Sequence, residues 1–455
     1  MNKNIYDFAC FKEYDIRGQY PNQVNEKLAY QIGLAIVNYL ETKNPIVIGA
    51  DMRLSSSALK KSIIEGITDA GADVIDIGVV ITDMVYFAVG KLKAAGGIMV
   101  TASHNPKDDN GFKFVREEAM PIYSKSLLEI KEIIESGKAK KVLKKGSLIK
   151  KDITSIYIKH VLGFIDSKKI GKFEIVADAG NGVGGLIVKK IIINLPGVKI
   201  IPLNFKPDGH FPNGVPNPLL PENRHKTIAA VKKYKADLGV AWDGDADRVF
   251  FYDEKGNFVE SYYLISIFAN YFLKKNPGAK IIHELRLTWA TIETTKNAGG
   301  KPVQSRAGHA FIKAAMRENK AIYGGEMSGH HYFRDNYYAD NGMIPFIILL
   351  AVMSEQKKSL SELILSFIKA HPISGEINFE ANYNKVLVAL KKEYATKAKK
   401  VDCKDGISCE FAKWRFNIRP SQTEPLVRLN IETDQDLKLL KEKTNELSKF
   451  IKERG

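Results

Sequence analysis

Three times along the chain an apolar run ends at an acidic residue, crosses a polar loop and enters helical periodicity. The segments are "PIVIGADMRLSS" (45–56), "FEIVADAGNGVGG" (173–185) and "KIIHELRLTWAT" (280–291). Short apolar runs closed by turn residues read as buried strands, and strands alternating with amphipathic helices build α/β units. The acids, Asp51, Asp178 and Glu284, stand 127 and 106 positions apart. That spacing is domain-sized and predicts three related α/β domains rather than a short-period solenoid. Near 369 the texture changes. "KAHPISGEINFE" breaks the helical pattern, and strand-like "FAKWRFNIRP" and "PLVRLNIET" then alternate with helices such as "DLKLLKEKTNELSKFIKE". The expected organisation is α/β domains at 1–150, 151–253 and 254–368 and a smaller α+β domain at 369–455.

Composition narrows the function classes. With 455 residues, 45% hydrophobic and 26% charged, the chain can bury several cores. The opening "MNKNIYDFACFKEYD" lacks the apolar segment of a signal peptide. The longest apolar run, "MIPFIILLAVM" (343–353), is about half a membrane span and predicts a buried helix. Cys10, Cys403 and Cys409 are odd in number and form no CxxC pair, which argues against disulfides or a zinc site and for a cytoplasmic protein. The net charge of +16 is spread along the chain without aromatic interleaving, which suits solvated faces and anionic small molecules better than nucleic acid.

The densest chemistry lies in "LGVAWDGDADRVFFYD" (238–253), where Asp243, Asp245 and Asp247 stand between two apolar runs. Carboxylates this close need a cation or water to stay ionised, and an oxygen-only set suits Mg²⁺ or Ca²⁺. An EF-hand loop fails here, because Arg248 stands where glycine is required and strands flank the run. A solvated acidic turn fits poorly between two apolar strands, so Mg²⁺ is the expected ion. In "AAGGIMVTASHNPKDDNGFKFV" (94–115), Ser103 sits in a turn-rich loop after a buried strand. It lacks the G-x-S-x-G elbow, and a serine there ordinarily caps a helix, as Thr101 or Asn105 also could. "AIYGGEMSGHHYF" (321–333) sets Glu326, Ser328 and His330 on one glycine-rich loop, a donor set suited to sugar hydroxyls. "NIRPSQTEPLVRLNIE" (417–432) places Arg419, Ser421 and Thr423 between two prolines, which suits a phosphate. A metal site, a nucleophile, a polyol loop and a phosphate clamp together describe phosphoryl transfer on a phosphorylated sugar.

Five segments, "YDIRG" (14–18), "TASHNP" (101–106), "DGDADR" (243–248), "GEMSGH" (325–330) and "RPSQTEP" (419–425), follow in order along the chain. Together they resemble the α-D-phosphohexomutase superfamily, in its bacterial phosphomannomutase and phosphomannomutase/phosphoglucomutase branch. The resemblance implies three similar mixed-sheet α/β domains and an α+β C-terminal lid around a central cleft. It implies that Ser103 is phosphorylated, and that Asp243, Asp245 and Asp247 hold one Mg²⁺ with an oxygen of Ser103. Arg248 would steady the phosphoryl group, Glu326 and Ser328 would grip sugar hydroxyls, and Arg419, Ser421 and Thr423 would clamp the non-reacting phosphate. Tyr14, Arg17, Lys113, His309 and His330 match further active-site positions, among which proton transfer is distributed.

The implied reaction interconverts mannose 6-phosphate and mannose 1-phosphate through a hexose 1,6-bisphosphate, which also serves as activator, and feeds GDP-mannose synthesis. A glucose-preferring or bifunctional phosphoglucomutase and a phosphoglucosamine mutase are the alternatives, the last disfavoured by Met327, where such enzymes tend to show glutamine. Arg286 stands where some bifunctional relatives carry lysine, and Ala307 where many carry threonine; both bear on substrate preference. The implied partners are small phosphosugars, with no nucleic acid or membrane, for a monomer or weak homodimer. A metal-dependent phosphatase and a basic polyanion-binding module are the rivals from other classes.

Overall fold

The three runs that end in an acid form the strands Ile46–Ala50, Phe173–Asp178 and Lys280–Glu284. In the computed structural model, which describes residues 6–42, 44–421 and 426–455, each has a parallel neighbour on both sides. Each acid therefore stands at the carboxyl end of a central parallel strand, the usual place for a ligand site in open α/β sheets. There it ties its own loop to a neighbour. Asp51 accepts from Ser56 Oγ (2.6 Å) and Thr101 Oγ1 (2.7 Å). Asp178 accepts from Thr227 Oγ1 (2.9 Å) and Asn204 Nδ2 (3.0 Å), and Glu284 from Met327 N (2.6 Å).

The chain divides into two compact units, the first made of the residues up to Phe258 with Ser328–Lys357, the second of Val259–Met327 with Lys358–Gly455. In the first unit one sheet runs Ile16–Gln19, Asp109–Arg116, Gly96–Val100, Ile46–Ala50, Val74–Val79, Leu148–Lys150, and Asp109–Arg116 is antiparallel to both neighbours. A second carries Val249–Tyr252, Leu238–Trp242, Phe173–Asp178 and Val198–Leu203, with only the first pair antiparallel. The apolar run becomes the helix Met343–Gln356, buried on nearly all sides and tied to the second sheet by Trp242 Nε1 donating to the Gly342 carbonyl at 2.9 Å. Among the described residues no helix is long and apolar enough to cross a membrane.

The second unit contains a parallel set, Lys301–Ser305, Lys280–Glu284 and Tyr323–Gly325, and an antiparallel C-terminal sheet in the order Ile373–Glu380, Leu426–Thr433, Trp414–Pro420, Ile407–Glu410, Lys400–Asp402. Period-two alternation gives this sheet two unlike faces. Phe416, Ile418, Val427, Leu429 and Ile431 join the helices Tyr383–Glu393 and Leu437–Arg454 in an apolar core. The opposite face presents Arg415, Asn417, Arg419, Asn430 and Glu432, all buried. A buried polar face must be hydrogen-bonded to be stable. Arg415 donates to the carbonyls of Leu285 (2.8 Å) and Arg286 (2.9 Å), and Glu432 accepts from the backbone N–H of Thr288 (2.7 Å) and Trp289 (3.1 Å).

In the first unit the helices Glu26–Leu40 and Ser56–Asp69 approach so closely that a Cβ on Gly66 would stand 2.2 Å from the Tyr30 carbonyl oxygen. Gly66→Ala is expected to lower the urea-unfolding midpoint by the equivalent of about 1–3 kcal/mol, although alanine is the better helix former. An unchanged or higher midpoint would contradict this packing.

Candidate active site

The Ser103 loop begins where the buried strand Gly96–Val100 ends. Ser103 has φ +52°, a left-handed conformation that a side-chain-bearing residue keeps only when its surroundings hold it there. Its N–H donates to Thr101 Oγ1 at 2.8 Å, and Thr101 is itself held by Asp51. The buried Arg53 guanidinium donates to the loop's carbonyls from below. The next strand returns antiparallel and places Lys113 opposite Met99. Arg17 donates to Asn105 Oδ1 at 2.8 Å and to Asp15 Oδ2 at 2.6 Å. Tyr14 is half-buried, just before the strand Ile16–Gln19 that carries Arg17.

The aspartates occupy the turn between Leu238–Trp242 and Val249–Tyr252, all at most 1% exposed, with one oxygen from each within 4.8 Å of the others. Ser103 Oγ donates to Asp243 Oδ2 at 2.9 Å. Arg248 donates through Nε to that same oxygen (2.8 Å) and through a terminal nitrogen to Ser103 Oγ (3.3 Å). Lys113 Nζ donates to Asp245 Oδ2 at 2.6 Å and also to Asp247 Oδ2. Thr82, at the start of the helix Thr82–Leu92, donates its hydroxyl to Asp245 Oδ2 (2.5 Å) and its N–H to the Asp245 carbonyl (3.0 Å). His330 Nε2 lies 3.6 Å from Asp247 Oδ1, and its Nδ1 is 3.0 Å from Ser328 Oγ.

Burial and charge set the protonation states. Burial pushes the Asp243 carboxyl up to about 6 despite Arg248. Burial also opposes ionisation of Asp247, but Lys113, His330 and Arg248 hold it well below the usual carboxylate range. Asp245 and Asp247 outweigh the effect of burial on Lys113 and keep its ammonium charged. His104 touches both Ser103 Oγ (3.2 Å) and Arg248; burial, then the charges of Arg248, Arg17 and Lys113, hold its imidazole well below the ordinary value, so it is neutral.

These residues fit a divalent cation. Three buried carboxylates meet two full cations, Lys113 and Arg248, and Asp245 Oδ1 and Asp247 Oδ1 accept no hydrogen bond among the described residues. Buried oxygens without donors, in an oxygen-only set, match a hard ion.

In the second unit, Arg286 donates through Nε to Glu284 Oε2 (2.6 Å) and through NH1 to Glu376 Oε2 (3.0 Å). Arg419 donates to Glu376 Oε2 at 3.4 Å, and Arg428, directly across from Arg419 in the sheet, lies 3.4 Å from Glu376 Oε1. Three guanidiniums thus converge on Glu376, and Arg419 Nε has no hydrogen-bond partner among the described residues. Glu326 accepts from Gly308 N at 2.6 Å, beside His309, which opens the helix His309–Asn319. Ala307 N donates to Asp405 Oδ2 at 3.1 Å. Ser421 N donates to the Leu426 carbonyl at 2.7 Å, and Thr423 lies outside the described residues.

The structure thus gathers Ser103, the three aspartates, Arg248 and Lys113 into one cluster, with Arg17 and His330 at its edge. It gathers Arg286 and Arg419 into another. Glu326 and Ser328, two positions apart, fall in different units. Sequence reasoning missed Arg53, Thr82, Glu376 and Arg428. Only Arg53 carried a signal, its place two residues after Asp51 in "GADMRLSS"; Thr82 is 163 positions from Asp245.

Burial raises the Glu376 carboxyl, but Arg286, Arg419 and Arg428 together lower it from 4.5 to about 2. A depressed folded-state value makes a contribution that is full above the unfolded value and lost as pH falls through the folded one. Glu376→Gln is therefore expected to flatten the acid-side loss of stability between about pH 4.5 and pH 2, read as urea midpoints. Parallel acid limbs in the two proteins would contradict it.

Comparison with known proteins agrees with this geometry. The family described as phosphoglucomutase/phosphomannomutase, alpha/beta/alpha domain, matches as domain I at residues 9–141, domain II at 155–256 and domain III at 260–371. The chain is 46% identical over 445 residues to phosphohexose mutases of Xanthomonas campestris pv. campestris, covering 97% of this chain and 99% of that one. It is 45% identical over 454 residues to a phosphomannomutase of Escherichia coli K12, covering 98% and 99%. A crystal structure of a phosphoglucomutase/phosphomannomutase family protein from Burkholderia thailandensis superposes with TM-score 0.88 at 30% identity, over 99% of this chain and 98% of that one. Similarity on this scale, over nearly the whole length, makes the chain a member of the α-D-phosphohexomutase superfamily, a phosphohexomutase of the phosphoglucomutase/phosphomannomutase family.

Proposed function

We propose that the chain interconverts mannose 6-phosphate and mannose 1-phosphate, with Ser103 as the phosphoryl carrier. The observation that carries the reading is Ser103 Oγ, hydrogen-bonded to Asp243 and Arg248 beside buried carboxylate oxygens that lack donors among the described residues. Asp243, Asp245 and Asp247 would hold Mg²⁺, which when bound neutralises phosphoryl oxygens as charge builds on them. The names of the E. coli, Salmonella typhimurium and Vibrio cholerae relatives, all phosphomannomutases, support mannose as the sugar.

Phosphorylated Ser103 gives its phosphoryl group to the free hydroxyl of the hexose monophosphate. The bond from phosphorus to the serine oxygen breaks, a bond to the sugar oxygen forms, and the sugar hydroxyl's proton passes to a base while the serine oxygen regains one. The product is a hexose 1,6-bisphosphate. After it turns over, the phosphoryl at its other end returns to Ser103 and the isomeric monophosphate remains. Arg248, in contact with both Ser103 and Asp243, steadies the phosphoryl group in both halves. Lys113 supplies fixed positive charge, and the Arg17 guanidinium orients phosphate. The His330 imidazole, within reach of Asp247 and Ser328, is assigned the proton transfer.

Arg419, Ser421 and Thr423 are assigned the non-reacting phosphate, with Arg286 adding a second guanidinium. Glu326 and Ser328 are assigned sugar hydroxyls, and Tyr14 and His309 further substrate contacts. Either end of the bisphosphate must be accepted, so recognition rests on a phosphate group rather than on a carbon position. The product, mannose 1-phosphate, would feed GDP-mannose synthesis.

Phosphorus NMR with Mg²⁺ and catalytic glucose 1,6-bisphosphate tests the reading. Mannose 1-phosphate is expected to convert to the 6-phosphate faster than glucose 1-phosphate or glucosamine 1-phosphate, and Ser103→Ala to abolish conversion. Inorganic phosphate as the sole product would mean a phosphatase. Mg²⁺ is also expected to raise the melting temperature, because a ligand bound only by the folded state stabilises it. Asp245→Asn is expected to remove that rise, and a rise that persists in the variant would place the ion elsewhere.

A further inference from the structure

We propose that Arg53 is a positioning residue for phosphoryl transfer, holding the Ser103 loop in the shape that aims Ser103 Oγ at Asp243. The proposal rests on Ser103 being the phosphoryl carrier. The Arg53 side chain is wholly buried beneath the loop. One terminal nitrogen donates to the carbonyls of Pro106 (2.6 Å) and Asp109 (2.8 Å), the other to those of Ser103 (2.9 Å) and Asn105 (2.7 Å). A single guanidinium thus bonds four backbone carbonyls spread over seven residues of loop, and of these the Pro106 carbonyl also accepts from the Asp109 N–H at 3.1 Å. Without it the buried Ser103 carbonyl would lose this donor and the other contacts that tie the loop together would go, which remodels the loop.

Two further contacts keep the guanidinium in place. Asp51 Oδ2 lies 3.3 Å from its Nε and balances its charge, and the Phe211 ring faces it with the centroid 5.1 Å from Cζ. Asp51 also holds Thr101, whose hydroxyl accepts the Ser103 N–H. The left-handed Ser103 is therefore gripped on both sides of its backbone, its N–H through Asp51 and Thr101 and its carbonyl through Arg53. Among the described residues Arg53 donates no hydrogen bond to Asp243, Asp245 or Asp247, so it acts through the loop.

Lysine keeps the charge that balances Asp51 but carries one nitrogen, which cannot span four carbonyls in a plane. Arg53→Lys should therefore fold while releasing the loop. The expected result is a kcat about a hundredfold lower per folded molecule, the scale of effect of a misplacement of about 1 Å at a reacting group. KM for the hexose phosphate should stay within about twofold, because sugar and phosphate recognition are untouched. Ser103 phosphorylation by glucose 1,6-bisphosphate should slow in step with kcat, and amide exchange should quicken over residues 101–109. The Mg²⁺-induced rise in melting temperature should persist.

Wild-type kcat in Arg53→Lys, or an activity loss explained entirely by the unfolded fraction, would overturn the proposal. If Arg53→Lys does not fold, Phe211→Leu, which loosens the guanidinium without removing it, is expected to lower kcat with KM unchanged; unaltered kcat there would equally overturn it. A wild-type chain that transfers no phosphoryl group would instead sink the assignment of Ser103, and this proposal with it.

Discussion

Three carboxylates on one turn, each almost fully buried, can remain ionised only if the surrounding structure supplies positive charge and hydrogen-bond donors. Lys113 comes from a strand of one sheet, Arg248 from the aspartates' own loop and Thr82 from the start of a helix, so two sheets of the first unit are fastened at this point. The fastening is incomplete: among the described residues no hydrogen bond reaches Asp245 Oδ1 or Asp247 Oδ1. One oxygen from each of the three aspartates lies close enough to the others to share a cation. Such a site is held against its own electrostatic strain by the packing around it, a common property of catalytic centres.

The second unit solves the opposite problem. Its C-terminal sheet turns one face to an apolar core and the other, rich in arginine and asparagine, to the loop that follows Glu284. Arg415 and Glu432 are fully paired and fix the Arg286 segment. Arg286, Arg419 and Arg428 converge on Glu376, and Arg286 also pairs with Glu284. The first unit thus sets three buried carboxylates beside a nucleophile, and the second gathers three guanidiniums on one carboxylate.

Much of this was legible in the chain. The repeated acid at the end of an apolar run located three strands, and Asp51, Asp178 and Glu284 all tie loops to neighbours. The apolar run at 343–353 became a buried helix, and alternation in "WRFNIRP" and "LVRLNIET" gave the two-faced sheet. Legibility failed where contacts join distant segments. Nothing local to Thr82 says that it will reach Asp245, and the cross-strand register that sets Arg428 beside Arg419 is invisible until the strands are paired. Arg53 is the instructive case: its neighbour Asp51 was noticed, but its partners are backbone carbonyls of another loop, which have no side-chain signature.

The central claim is that Ser103 carries the phosphoryl group, and peptide mapping by mass spectrometry tests it most directly. The chain would be incubated with Mg²⁺ and glucose 1,6-bisphosphate, digested with trypsin, and the peptide Ala94–Lys107 fragmented. The account predicts one phosphoryl group, located on Ser103; when it is introduced with an isotope label, a chase with unlabelled hexose monophosphate before digestion replaces it with an unlabelled one. A peptide that never gains phosphate, or a labile phosphate on another residue, would contradict it.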